Sequence, residues 1–181
     1  MATRRQILSG LSATVATALL PGAAFGYGSL AEGSRLPAVR LSRSDGSGFE
    51  LSQELAGKVG LISFWALWCG ACLSELPSLD RLHQRLAQDP GIRLLAINVD
   101  QGVGLGVLRD FWKRGGFKMP LAIDASGSAS ALFRVSVLPM AFIVAADGTI
   151  RYALPGARTW DSEQWARGLQ SMVAEGKAAA G

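Results

Sequence analysis

The chain has 181 residues, 49% of them hydrophobic, which suits one compact domain and argues against a disordered chain. Its formal charge is +4, but Arg4 and Arg5 lie in a segment expected to be removed; taking them from the 18 basic residues leaves 16 against 14 acidic ones. That balance, with no cluster of Lys and Arg interleaved with aromatics, argues against a nucleic-acid partner, and two cysteines allow no multi-bridge framework.

Residues 1–26 read as an export signal. Arg4 and Arg5 give a positive start, Ile7 to Leu20 is uncharged, and Pro21, Gly22, Ala23, Ala24 and Gly26 make a small-residue exit. The uncharged stretch is shorter than the roughly 20 residues a helix needs to span a bilayer. Thr3-Arg4-Arg5-Gln6-Ile7-Leu8 resembles the twin-arginine export consensus. The expected compartment is the bacterial periplasm, where thiols tend to be oxidised, with a membrane tether if the signal is retained.

Residues 27–35 carry Gly and Ser and read as a loose linker; 36–176 read as the domain and 177–181 as a tail. Ala38 to Leu41 is a candidate short strand, followed by an Asp45-Gly46 turn. Ser52 is a candidate N-cap for a short helix stopped at Gly57. Val59 to Trp65 is almost continuously apolar, as a strand covered on both faces should be. Leu73, Leu76, Leu79, Leu82 and Leu86 then recur at three- and four-residue steps, giving one apolar helix face, with Pro77 set to kink it.

Asp89-Pro90-Gly91 ends that helix, and Ile92 to Val99 is a second buried strand. Gly102, Gly104 and Gly106 invite a nucleotide-loop reading, but a dinucleotide fingerprint needs its third glycine at position 107, which is Val107. A flexible loop before a helix ending at Gly115-Gly116 accounts for them better. Met119 to Ile123 is a short strand and Ala129 to Phe133 a short helix. Ala141 to Ala145 and Ile150 to Ala153 flank Asp147-Gly148, a hairpin signal. Asp161 with Gln164 three residues on has capping-box spacing, and Trp165, Leu169, Met172 and Val173 form a face of the last helix, which Gly176 should end. The order predicts an α/β fold with a central mixed sheet flanked by helices.

The chemistry concentrates at Cys69 and Cys72. A buried strand ends at Trp65, three residues turn, and a helix begins at or near Cys69. Free N–H groups and the dipole at a helix N-terminus favour an anion, so a thiol placed there loses its proton more readily. The thiolate is the species that attacks a disulfide. Cys72 lies within the first turn, near enough to close a disulfide, so Cys69 would attack and Cys72 would resolve the mixed disulfide. A zinc site wants four ligands, and only His83 remains, eleven residues past Cys72 on the same helix; no metal and no cofactor is expected.

Phe64-Trp65-Ala66, Trp68-Cys69-Gly70-Ala71-Cys72 and Pro77 resemble the thioredoxin active site, and Glu75-Leu76-Pro77 resembles the TlpA/ResA-like branch of exported thioredoxin-fold proteins. Val135 to Val144 is similar to the family segment that carries a cis-proline facing the cysteines. The resemblance implies a periplasmic thiol-disulfide oxidoreductase, held reduced by a membrane thiol carrier and acting on protein disulfides, such as those of apocytochrome c or of copper sites. It implies catalytic Cys69, Cys72 and Glu75, and substrate contact at Trp68, Gly70, Ala71, Leu138 and Pro139. Leu138-Pro139 should be cis, with the free backbone of Leu138 forming a wall opposite Cys69. Trp65 and Pro77 should be structural.

Three positions depart from the family pattern. Ala71 replaces a common proline, Ser63 stands where a buried aspartate or asparagine is usual, and Leu138 precedes the cis-proline in place of threonine or valine. With Ser63 unable to take a proton, Glu75 is the carboxylate expected to replace that acceptor. Two rival functions remain. A thioredoxin-like copper-binding module usually spaces its cysteines by three and uses a distant downstream histidine. A peroxiredoxin-like peroxidase wants a hydroxyl and a proline where Ala66 and Ile62 stand.

Overall fold

The computed structural model describes residues 29–180; the expected export signal lies outside them. Seven strands and five helices follow in chain order. They are β1 (Arg40–Arg43), β2 (Gly48–Glu50), α1 (Leu51–Glu54), β3 (Val59–Trp65), α2 (Gly70–Leu86), β4 (Ile92–Asn98), α3 (Leu105–Arg114), β5 (Leu121–Ile123), α4 (Ser128–Leu132), β6 (Met140–Val144), β7 (Ile150–Pro155) and α5 (Glu163–Ala180). The strands form one mixed sheet in the order β2-β1-β5-β4-β3-β6-β7. β4 lies parallel to β3 and β5, and β6 lies antiparallel to both β3 and β7.

Every residue of β3 is buried, which is why its sequence is a continuous apolar run. Alternate side chains go to opposite faces. Val59, Leu61 and Trp65 join a core with α2, α3 and α5, while Ile62 and Phe64 join a second core with α1 and α4. Trp65 stacks on Phe111 at 5.5 Å and meets Trp112 at 5.4 Å; on the other face Phe64, Phe133 and Phe142 form a cluster of tilted rings. The leucines of α2 turn inward as their spacing predicts, and Asp80 fastens the same helix to the chain before β5. Its Oδ1 accepts the backbone N–H groups of Lys118 and Met119, both at 2.7 Å, and its Oδ2 accepts from Gln84 at 2.7 Å.

The edges and ends depart from expectation. Ser52 is inside α1 rather than capping it; Glu50 holds the cap position and makes no side-chain cap bond. Asp161 does not cap α5, because the guanidinium of Arg81 takes its carboxylate at 2.7 Å. Gly176 does not end α5, which runs on to Ala180 through Lys177 and three alanines; one glycine costs a helix only about 1 kcal/mol against such neighbours. Within the expected linker 27–35, residues 30–35 are not loose. Leu30 N–H donates to Phe133, Gly33 N–H to Ile150 and Leu36 N–H to Gly148, and Arg35 bridges to Thr149. β2 is a further strand, paired antiparallel to β1 at the sheet edge.

Asp80→Ala is expected to destabilise the fold by about 2–4 kcal/mol, since it strands two backbone N–H groups, while Asp80→Asn keeps the accepting oxygen and costs less than half as much. Denaturant unfolding of both variants checks this.

Candidate active site

The register of the sheet assembles the site. Phe64 pairs with Met140 and Trp65 with Asn98, so three segments meet at one end: the turn after β3, the chain after β4, and the chain before β6. The first carries Cys69 at the N-cap of α2 in extended backbone conformation, where its Sγ accepts the Cys72 N–H at 3.2 Å. Cys69 and Cys72 are joined in a disulfide with Cα atoms 5.2 Å apart. Cys69 is 7% exposed, whereas Cys72 is fully buried. Gly70 and Ala71 lie at the surface between them.

Leu138-Pro139 is cis. Pro139 is buried and Leu138 half-buried, and neither backbone group of Leu138 has a partner among the described residues. Trp68, 74% exposed, and Leu138 line one open groove of about 340 Å³ with Val99, Gln101, Val135, Ser136 and Val137. The structure thus brings together Trp68, Cys69, Cys72 and Leu138-Pro139. Trp65 is wholly in the core and Pro77 sits inside α2, facing solvent. His83 is half-buried on α2, its pKa lowered by desolvation against an opposing pull from Asp80. Among the described residues no group of three or more His, Cys, Asp and Glu side chains could hold a metal ion.

Glu75 lies one helical turn beyond Cys72, and the i, i+3 spacing places both on one face of α2. It is 3% exposed. Ser63 faces the same helix from β3 and donates its hydroxyl proton to Glu75 Oε1 at 3.0 Å. The backbone N–H of Arg158 donates to Oε2 at 3.0 Å. Burial pushes the Glu75 carboxyl above its ordinary range, and these two hydrogen bonds pull the other way. The buried Trp160 indole also favours the charged form, although its N–H falls short of a hydrogen bond. Ser78 ties the same stretch down: its hydroxyl donates to the Glu75 carbonyl and accepts the backbone N–H of Trp160 at 3.1 Å.

Sequence reasoning did not find Arg158, Trp160, Asn98 or Asp100. Arg158 and Trp160 act from more than 80 residues away and leave no local pattern. Asn98 and Asp100 do leave one, as two polar residues closing an apolar strand at the end where ligands of such sheets bind.

The chain matches known proteins over most of its length. The Redoxin family covers residues 31–167. The thiol-disulfide oxidoreductase ResA of Bacillus subtilis is 29% identical over 134 residues, 74% of this chain and 73% of the relative. That of Geobacillus thermodenitrificans is 30% identical over 130 residues, 72% of each. Among solved structures, a putative thiol:disulfide interchange protein DsbE from Chlorobium tepidum superposes with TM-score 0.69 at 25% identity, covering 80% of this chain and 99% of its own. A putative protein disulfide isomerase from Bacteroides thetaiotaomicron gives 0.68 at 25% identity, covering 84% and 97%.

The raised Glu75 carboxyl sets a pH dependence. A carboxyl whose folded pKa exceeds its unfolded one makes the folded state bind more protons, so its contribution falls as pH rises from the ordinary carboxyl range through the folded value. The stability of the wild type minus that of Glu75→Gln should be flat below that window, decline across it, and level off above. Denaturant titrations of both proteins between about pH 4 and 8 check the sign.

Proposed function

We propose, since the chain belongs to the Redoxin family as a TlpA/ResA-like thiol-disulfide oxidoreductase of the thioredoxin superfamily, that it reduces protein disulfides in the periplasm. The observation that carries the reading is the inequality of the two cysteines. Cys69 keeps 7% of its surface exposed and its Sγ accepts the Cys72 N–H at the start of a long helix, whereas Cys72 is fully buried.

In the proposed reaction the Cys69 thiolate attacks one sulfur of a substrate disulfide and expels the other as a thiolate. Cys72 then gives up its proton and attacks Cys69 Sγ, releasing the second substrate thiol and leaving the Cys69–Cys72 disulfide. Two electrons pass to the substrate, and the two thiol protons of the dithiol balance them. Glu75, on the Cys72 side of α2, takes the proton of Cys72 in the second step; its desolvation makes it a stronger proton acceptor than an exposed carboxylate. Trp68, Gly70, Ala71, Leu138 and Pro139 form the surface over which the substrate chain lies, and the free backbone groups of Leu138 can pair with it as with an added strand. A membrane thiol carrier returns the disulfide to the dithiol. The haem-attachment cysteines of apocytochrome c and the cysteines of copper sites are the substrates we propose.

Cys69→Ser should lower protein-disulfide reduction to the uncatalysed background, while Cys72→Ser should accumulate mixed disulfides. Cys69 in Cys72→Ser should alkylate faster than Cys72 in Cys69→Ser; the reverse order would exchange their roles. The potential of the pair decides the direction of electron flow: a value near about −270 mV marks a reductant and one near about −120 mV an oxidant.

Glu75→Gln should slow release of the mixed disulfide and leave the first attack nearly unchanged. Stopped-flow measurement of the two steps checks this, and equal effects on both would remove Glu75 from the reaction.

A further inference from the structure

The turn that presents Cys69 has little internal hydrogen bonding. Between Trp65 and α2 its backbone makes one internal bond, from Cys69 N–H to the Ala66 carbonyl at 3.2 Å. Ala66 is buried in the core and Leu67 packs against it, and the chain after β4 holds the turn by hydrogen bonds. The Trp65 carbonyl accepts the Val99 N–H at 2.9 Å, and the Leu67 N–H donates to Asp100 Oδ2 at 2.8 Å. Asp100 is 95% buried at 5% exposure, and a fully buried neighbour holds it at two points, one on its side chain and one on its backbone. Asn98 Nδ2 donates to the same Oδ2 at 2.7 Å, and Asn98 Oδ1 accepts the Asp100 N–H at 3.1 Å. The next residue, Gln101, spans to the Val99 and Asp124 carbonyls and lines the groove beside Trp68.

We infer that Asp100 is a positioning residue for the attack by Cys69. It acts through the Leu67 N–H, two residues before the cysteine, and Asn98 holds it in register. The inference rests on Cys69 being the attacking sulfur. The physical case is one of tolerance. Cys69 is useful only while its Sγ lies on the N–H groups at the start of α2, and the Cys72 N–H reaches it at 3.2 Å. A turn of three residues anchored at one point can pivot; a second anchor at Leu67 removes that freedom. Reactive groups need to be held to within about 0.5 Å by supports that are themselves locked, and the Asn98–Asp100 pair has that form.

Three substitutions separate geometry from charge. Oδ2 takes both hydrogen bonds and Oδ1 takes none among the described residues, so Asp100→Asn can keep both through its one carbonyl oxygen. Asp100→Glu keeps the carboxylate but moves the acceptor by a methylene. Asp100→Ala removes the acceptor.

The test measures single-turnover attack on an aromatic disulfide reagent, in the Cys72→Ser background so that only Cys69 reacts, together with each variant's unfolding midpoint. The attack by Cys69 thiolate releases one aryl thiolate, which is read by its colour. We expect Asp100→Ala and Asp100→Glu to slow attack about tenfold or more, and Asp100→Asn to stay within about threefold of the parent. A merely structural carboxylate would lower the unfolding midpoint and leave the folded protein's attack rate unchanged. If Asp100→Ala does not fold, the contrast of Asp100→Glu with Asp100→Asn carries the test. Parent-like rates in Asp100→Glu and Asp100→Ala overturn the inference, as does an Asp100→Asn rate as slow as that of Asp100→Glu. If Cys69 of the Cys72→Ser parent, with Asp100 intact, does not attack at all, the assignment of Cys69 itself falls.

Discussion

The structure depends on β3 being buried on both faces and hydrogen-bonded on both edges. Its neighbours run in opposite directions: β4 is parallel and β6 antiparallel. As a result the end of β3, the end of β4 and the beginning of β6 fall at the same edge of the sheet. Cys69, Asp100 and Pro139 are far apart in sequence, and this one arrangement of directions brings the segments that carry them to one edge of the sheet. An open α/β sheet binds its ligands outside the carboxyl ends of its parallel strands. Here that position also receives the chain entering β6, which supplies the second wall.

Burial of β3 also explains why the site contains a polar pair where a core would otherwise close. Ser63 falls on the Leu61 and Trp65 face, directed at α2, and any carboxyl opposite it is taken out of water. A buried carboxyl without partners costs several kcal/mol. Glu75 is given two donors, Ser63 from the sheet and Arg158 from the chain between β7 and α5. The second donor has a structural consequence. It fixes residues 158–160 against α2, where Ser78 also holds the backbone of Trp160, so the proposed proton acceptor is at the same time a fastening point of the fold.

The sequence was legible where side chains respond to their own local pattern. β3 and the start of α2 fall where the apolar run and the leucine spacing put them, because burial on both faces or on one helix face leaves a periodic trace. Cys69, Cys72 and Glu75 were legible together, since a helix makes i and i+3 neighbours without help from the rest of the fold. Caps were not: Ser52 and Asp161 have cap chemistry, but whether a side chain caps depends on competitors such as Arg81, which lies 80 residues from Asp161. Residues 30–35 look like a linker because their bonds to 133, 149 and 150 are made by backbone, which carries no sequence signature. Arg158 escapes for the same reason, as it meets Glu75 through its main chain.

The two cysteines are chemically identical and three residues apart, so their roles must come from position. A helix rotates by about 100° per residue, and a residue three on from the N-cap comes back near the same side but one turn deeper. In this fold deeper means under the core of β3, and Cys72 is fully buried while Cys69 is not. The deeper sulfur, with Cys72 fully buried, is closed to a substrate approaching from outside. The one disulfide sulfur that Cys72 can meet is that of Cys69, already carrying the substrate. The order of the proposed steps, outside sulfur first and inside sulfur second, is therefore imposed by burial rather than by any difference between the residues. The same geometry suits the proposed proton transfer: Glu75 lies a further turn down the same face, on the side of the cysteine that in the proposed reaction loses its proton away from water.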